Sequence, residues 1–207
     1  MRIALLAFDD FNELDSLIAL GILNWVKKEK TDWEVSLVGP APALRSMNGI
    51  VVGTQATLAY SRSADAVLIG SGSQTRNVVK DAALMAQLDF DPNRQLLGAQ
   101  CSGALVLAKL GLLNGVPACT DLTTKPWVEE AGITVLNQPI VAKDNVATAG
   151  GCLSAPYLAA WVIARLEGLE MAARAMHYFA PVGEKDEFVA RAMGHVKRQL
   201  AASADRV

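Results

Sequence analysis

The sequence predicts an α/β domain: a three-layer sandwich in which a mostly parallel sheet is covered by helices on both faces. Short apolar runs suited to fully buried strands alternate along the chain with longer runs at helical spacing. Loops that leave several of those strand runs carry small or reactive residues, and ligands of such sheets gather at the carboxyl ends of the strands. At 207 residues, 52% hydrophobic and 19% charged, the chain is long enough for one domain, 1–207, with a substantial core.

The elements follow in order. A strand over residues 3–8 precedes a helix over 13–28, whose Leu14, Leu17, Ile18, Leu20, Gly21, Leu23 and Trp25 form one broad apolar face. A second strand, 33–38, stops at Gly39-Pro40, and Asn48-Gly49 marks a hairpin because both residues tolerate positive φ. The strand 66–69 runs into Gly70-Ser71-Gly72-Ser73, followed by a polar helix over 75–88. Strand 96–99 leads through Cys101 into a helix over 102–110. A short helix is expected over 125–131, and strands over 133–136, 140–142 and 146–148, the last two joined by Lys143-Asp144-Asn145. Gly150-Gly151 opens a long apolar helix, 154–165. Helices over 170–178 and about 185–201 complete the chain.

Composition excludes several classes of function. A net charge of −2 leaves no basic footprint for nucleic acid. No apolar run is long enough for a membrane span, and the amino terminus enters a strand directly rather than a secretion signal. Three cysteines without metal-ligand spacing argue against a disulfide framework. The expectation is a reduced, cytoplasmic protein with no metal.

The stretch Gln100-Cys-Ser-Gly103 carries the most chemical information. A sharp turn from strand to helix presents Cys101 at the top of the sheet, and small Ser102, Gly103 and Ala104 leave room for the turn. A helix amino terminus there is expected to lower the thiol pKa and to offer N–H groups to developing negative charge. The alternative is a buried cysteine acting as a small hydrophobe. Cys119 lies in a small-residue strand and reads as core. Cys152, after the glycine pair, reads as a pocket wall, with a disulfide role left open.

Only two histidines, His177 and His195, exist to serve Cys101, and both lie far along the carboxyl-terminal segment. Peptidase chemistry is therefore poorly supported. The better partner is Asp15. Asp9, Asp10 and Glu13 have ordinary reasons to stand at a helix amino terminus. Asp15 lies between Leu14 and Leu17 on the inward side, where an acid is either a mispatterned helix residue or a functional one; a buried carboxyl there would have a raised pKa and could share a proton with a thiol.

Taken together, Leu5-Leu-Ala-Phe8, Phe11-Asn-Glu-Leu-Asp15, Asp65-Ala-Val-Leu-Ile-Gly-Ser-Gly72, Ala99-Gln-Cys-Ser-Gly-Ala-Leu-Val-Leu-Ala108, Gly111-Leu-Leu-Asn-Gly115 and Ala147-Thr-Ala-Gly-Gly151 resemble the ThiJ/PfpI superfamily. The resemblance runs from residue 1 to about 181, and within the superfamily it is nearest the isocyanide hydratase branch. It implies a flavodoxin-like, glutamine amidotransferase-like fold, a homodimer, and no metal or organic cofactor. It implies that Cys101 is the nucleophile and Asp15 the carboxyl that exchanges protons with it and with a small-molecule substrate. Ser102 matches the residue whose backbone N–H joins that of Gly72 near the reacting centre. Gly150 and Gly151 match the turn that closes the pocket, with Cys152 where an apolar residue is usual.

The implied reaction is addition of the thiolate to an isocyanide and release of the N-substituted formamide by water. The alternative within the superfamily is a redox-sensing, stress-protective or glyoxalase-type protein that uses an oxidisable Cys101. The chain departs from the common pattern at Asp121, where histidine is frequent, at Leu122, where tryptophan is frequent, and at Gly70-Ser71-Gly72, where Pro-Gly-Gly is frequent.

Overall fold

A computed structural model describes residues 1–204. Its main sheet has seven strands, β1 (Arg2–Leu6), β2 (Glu34–Gly39), β5 (Ala56–Thr57), β6 (Ala66–Ile69), β7 (Leu96–Gln100), β8 (Ile140–Lys143) and β9 (Val146–Ala149), in the order β5-β2-β1-β6-β7-β9-β8. Every pairing is parallel except that of β8 with β9, which are joined by a tight hairpin with Asp144 at a φ of 55°. A separate hairpin, β3 (Ala43–Arg45) with β4 (Val51–Gly53), turns through Asn48 and Gly49.

The helices are α1 (Glu13–Trp25), α2 (Leu58–Arg62), α3 (Thr75–Val78), α4 (Ala82–Met85), α5 (Gly103–Lys109), α6 (Lys125–Glu130), α7 (Ala155–Glu167), α8 (Leu169–Phe179) and α9 (Lys185–Ala204). Two apolar layers flank the sheet. Ile3 and Leu5 of β1 and Leu68 of β6 pack towards α1 and α7, while Ala4, Leu6, Val67 and Ile69 pack towards α5. Alternate residues of one strand thus enter opposite cores, which explains why these strands read as continuous apolar runs. Among the described residues no helix is long and apolar enough to cross a membrane.

The expected three-layer α/β architecture is the one observed, with local corrections. The polar stretch 75–88 is two short helices, because Asp81 leaves the helix and caps α4 by accepting from the Leu84 N–H. The expected strand over 133–136 is only a single bridge, Ala118 to Val135, and Cys119 beside it is buried outside any strand. The short β5 and α2 were not expected.

Helix α1 is also turned from the expected orientation. Its buried face is Asp15, Ser16, Ala19, Ile22 and Leu23, whereas Leu14 is exposed. Asn12 is the residue that sets this start, accepting the Leu14 N–H at 3.0 Å. Asp15 is thus buried on the inward side, as expected, and Ser16 is buried beside it, whereas Leu14 of the expected apolar face points outward.

Candidate active site

The strand order reverses direction of growth between β1 and β6, since β2 lies on one side of β1 and β6 on the other. A crevice opens at the carboxyl ends of strands at such a point. The loops after β1, β6, β7 and β9 meet there and bring together Asp15, Ser71, Cys101 and Cys152.

Cys101 forms the corner between β7 and α5. Its φ is 45°, a left-handed conformation that non-glycine residues adopt at a cost of roughly 1–3 kcal/mol. The surroundings hold it there. Its N–H donates to the Ala149 carbonyl at 2.8 Å, and its carbonyl accepts the Ala104 N–H at 3.2 Å and the Thr120 hydroxyl at 2.7 Å. Gly103 makes the corner possible: a Cβ there would lie 2.6 Å from the Ile69 carbonyl oxygen and 2.9 Å from that of Gly70.

Asp15 enters from α1 and is 1% exposed. Its Oδ2 accepts the Ser71 hydroxyl at 2.5 Å, and its Oδ1 accepts the Ser71 N–H at 3.4 Å and the Ser16 hydroxyl at 3.3 Å. One carboxylate oxygen of Asp15 and the sulfurs of Cys101 and Cys152 all lie within 4.8 Å of one another. Burial pushes the Asp15 carboxyl above its usual range, and the hydrogen bonds from Ser71, Ser16 and Cys101 offset part of that rise.

The Cys101 thiol is pushed up as well, first by burial and then by the negative charges of Asp15, Cys152 and Asp121. A backbone hydrogen bond from Gly151 pulls the other way. This corrects the expectation that the helix terminus would depress the thiol pKa. Cys101 is 3% exposed, and desolvation beside acidic neighbours outweighs the dipole of a seven-residue helix. The Asp15 charge is thus, after burial, a cause of the tighter hold on the Cys101 proton.

The remaining expected residues fall in distinct places. Gly72 is adjacent, but its N–H donates to Ser102 Oγ at 3.1 Å, and Thr75 Oγ1 lies 2.8 Å from the same hydroxyl. Ser102 thus contributes a hydroxyl that ties the β6 and β7 loops, not a side-chain cap for α5. Gly151 takes a φ of 84°, and its carbonyl accepts the Gln100 side-chain amide at 2.7 Å.

Asp121 lies outside the Asp15–Cys101–Cys152 cluster. Its Oδ1 accepts the N–H groups of Thr123 and Thr124 at 2.9 Å each, which shapes the entry to α6. With Gly150, Gly151, Thr120 and Lys125 it walls a cavity of about 660 Å³. Leu122, on the same wall, is 86% exposed. Neither histidine joins the cluster: His177 on α8 is exposed, and His195 on α9 stacks on Tyr157 with ring centroids 4.8 Å apart.

Ser71, Ser16, Asn12 and Gln100 were not singled out from the sequence. Ser71 alone had a visible signal, as a hydroxyl in a loop otherwise expected to be Pro-Gly-Gly. Asp15, Cys101 and Cys152 together are also donors that a soft divalent ion would accept.

A family model described as the DJ-1/PfpI family matches residues 1–165. The chain belongs to the DJ-1/PfpI family. Three solved DJ-1/PfpI-type structures show the shared fold. Schizosaccharomyces pombe DJ-1 is 15% identical, with 87% of this chain and 100% of that one covered at a TM-score of 0.75. A cysteine-to-alanine mutant of a DJ-1 superfamily protein from Salmonella typhimurium is 24% identical, covering 87% and 98%, at 0.74. A ThiJ/PfpI family protein from Pseudomonas syringae is 18% identical, covering 94% and 90%, at 0.74. No curated protein matches the chain.

Proposed function

We propose that this DJ-1/PfpI protein is a cysteine-dependent enzyme for a small electrophile, and that its reaction is the hydration of an isocyanide to an N-substituted formamide. The observation that carries the reading is the pairing of Cys101 with a buried carboxyl, Asp15, in a cluster without histidine. Burial raises the pKa of the Asp15 carboxyl, so it accepts and returns a proton more readily than an exposed carboxylate and can exchange one with the adjacent thiol.

The steps balance with one proton held by the pair. The Cys101 sulfur adds to the terminal carbon of R–N≡C while Asp15 gives its proton to that carbon, leaving a thioimidate on the enzyme. Asp15, now a carboxylate, takes a proton from water as the oxygen adds to the same carbon. That proton passes to nitrogen. The tetrahedral adduct then collapses: the C–S bond breaks, the hydroxyl proton returns to the pair, and the formamide leaves.

Purified protein incubated with an alkyl or aryl isocyanide should release the formamide. Cys101→Ala should abolish turnover, and Asp15→Asn should slow it by roughly 10²–10⁴-fold, the usual worth of a general acid–base group. Full activity in Cys101→Ala would sink the mechanism. The reading includes association of two copies in the cytoplasm. Its support is the outward face of α1, where Leu14, Leu17 and Ile18 wall an apolar groove of about 710 Å³ with Tyr157 and Phe179. Sedimentation as a monomer at assay concentration would overturn that part.

A second reading, redox or stress protection through an oxidisable Cys101, is favoured by one observation: a second thiol stands in the same cluster.

A further inference from the structure

Hydration chemistry gives Cys152 no task, yet its sulfur lies within 4.8 Å of both the Cys101 sulfur and an Asp15 oxygen. Cys152 begins a short 3₁₀ turn, Cys152–Ser154, directly after Gly151 and at the rim of the site. It is half-buried, so a small oxidant or reductant reaches it, whereas Cys119 is fully enclosed and its thiol is pushed up to about 12 by burial. The Asn12 side-chain amide donates to the Cys152 sulfur at 3.0 Å and fixes that sulfur at the rim of the site.

The remaining gap is small. A hop between staggered χ1 wells carries a cysteine sulfur roughly 3 Å, and a disulfide needs the sulfurs about 2.05 Å apart. Gly151, at a φ of 84°, precedes Cys152 and gives the turn backbone freedom to follow.

We propose that Cys101 and Cys152 form a reversible intramolecular disulfide when the site meets a hydroperoxide, with Cys152 as the resolving thiol. The Cys101 sulfur attacks the distal oxygen of R–O–OH, and the O–O bond breaks. The sulfur is oxidised to the sulfenic acid, the peroxide is reduced to the alcohol, and the Asp15 proton completes that alcohol. The Cys152 thiol then gives its proton to the Asp15 carboxylate and attacks the sulfenic sulfur. The S–O bond breaks, and hydroxide leaves as water with that proton. An external dithiol restores both cysteines by exchange. The disulfide removes the nucleophile from isocyanide chemistry and keeps it from further, irreversible oxidation. This inference stands apart from the hydration reading, since nothing in it requires turnover of an isocyanide.

The test is peptide mapping of the reduced, full-length protein after equimolar hydrogen peroxide and thiol alkylation. The expected product is a peptide linking Cys101 to Cys152, with Cys119 alkylated and dithiothreitol restoring both thiols. In Cys152→Ser, Cys101 should instead remain as the sulfenic acid, trapped by dimedone, and pass to the sulfinic acid when a second equivalent of peroxide is added. Wild-type protein that yields Cys101 sulfinic acid with Cys152 still alkylated would overturn the proposal. So would a Cys101 bridge to Cys119 or to another copy, or two thiols that do not react. The wild-type map decides the matter even if the serine variant folds poorly.

Discussion

The Ser71 hydroxyl donates a 2.5 Å hydrogen bond to Oδ2 of Asp15, and both side chains are buried. A donor in that place stabilises the carboxylate and so sets how far burial can raise the Asp15 pKa. Ser71→Ala leaves Oδ2 without this partner. The expected loss of stability is about 1–3 kcal/mol, the cost of a buried acceptor left unpaired, read by urea denaturation at neutral pH. The variant should also hold the Asp15 proton to higher pH, moving the acidic limb of any pH–rate profile upward.

Asp15 itself couples stability to pH. Its carboxyl is held above the usual 3.8, chiefly by burial, so the folded chain keeps that proton more tightly than the unfolded chain. The stabilisation from this proton is fully present below 3.8 and is lost as pH climbs through the raised value. Asp15→Asn carries no such proton. The wild-type Tm should therefore fall relative to Asp15→Asn as pH rises from the acidic range to neutrality, measured by scanning calorimetry. A gap that does not change with pH would show that the carboxyl is unshifted.

The reactivity of Cys101 should report the charges around it. After burial, the Asp15 charge is the next cause of its raised thiol pKa, ahead of Cys152 and Asp121. Asp15→Asn should thus speed iodoacetamide alkylation of Cys101 at mildly alkaline pH. Asp121→Ala should have a smaller effect on that rate, because its carboxylate is the more weakly coupled of the two. The reverse order would place the wrong carboxylate beside the sulfur.

Gly103 tests the corner without touching its chemistry. Alanine is about 1 kcal/mol better than glycine inside a helix, so helix propensity alone predicts stabilisation by Gly103→Ala. The new Cβ would instead meet two backbone carbonyl oxygens, those of Ile69 and Gly70, at 2.6 and 2.9 Å. Backbone cannot swing aside as a flexible side chain can. The clash should prevail, with a net loss of about 1–3 kcal/mol in chemical denaturation.

Much of the architecture was legible because the sheet is buried on both faces. Runs such as Ile3-Ala4-Leu5-Leu6 have no polar side to present and so stand out from the amphipathic helices between them. Cys101 was legible for a local reason: small residues crowd a strand-to-helix corner only when something must turn tightly there. Asp15 was legible as an acid among leucines. The segment 75–88 was misread because its capping residue, Asp81, resembles any other polar residue on a helical surface. The single bridge at Val135 was misread because a run of β-branched residues does not show whether a partner strand lies alongside.

What the sequence determined by itself was the alternation of strands and helices, the corner at Cys101 and the acid at Asp15. These rest on local patterns of size, polarity and turn chemistry, which residues carry wherever they are placed. What only the tertiary structure decided was who meets whom. Ser71 reaches Asp15 across 56 positions and Asn12 reaches Cys152 across 140, because loops from separate strands end at one edge of the sheet. The direction of the Cys101 pKa was decided there too. A helix terminus favours a thiolate, but burial and neighbouring carboxylates disfavour it, and their distances exist only once the chain is folded.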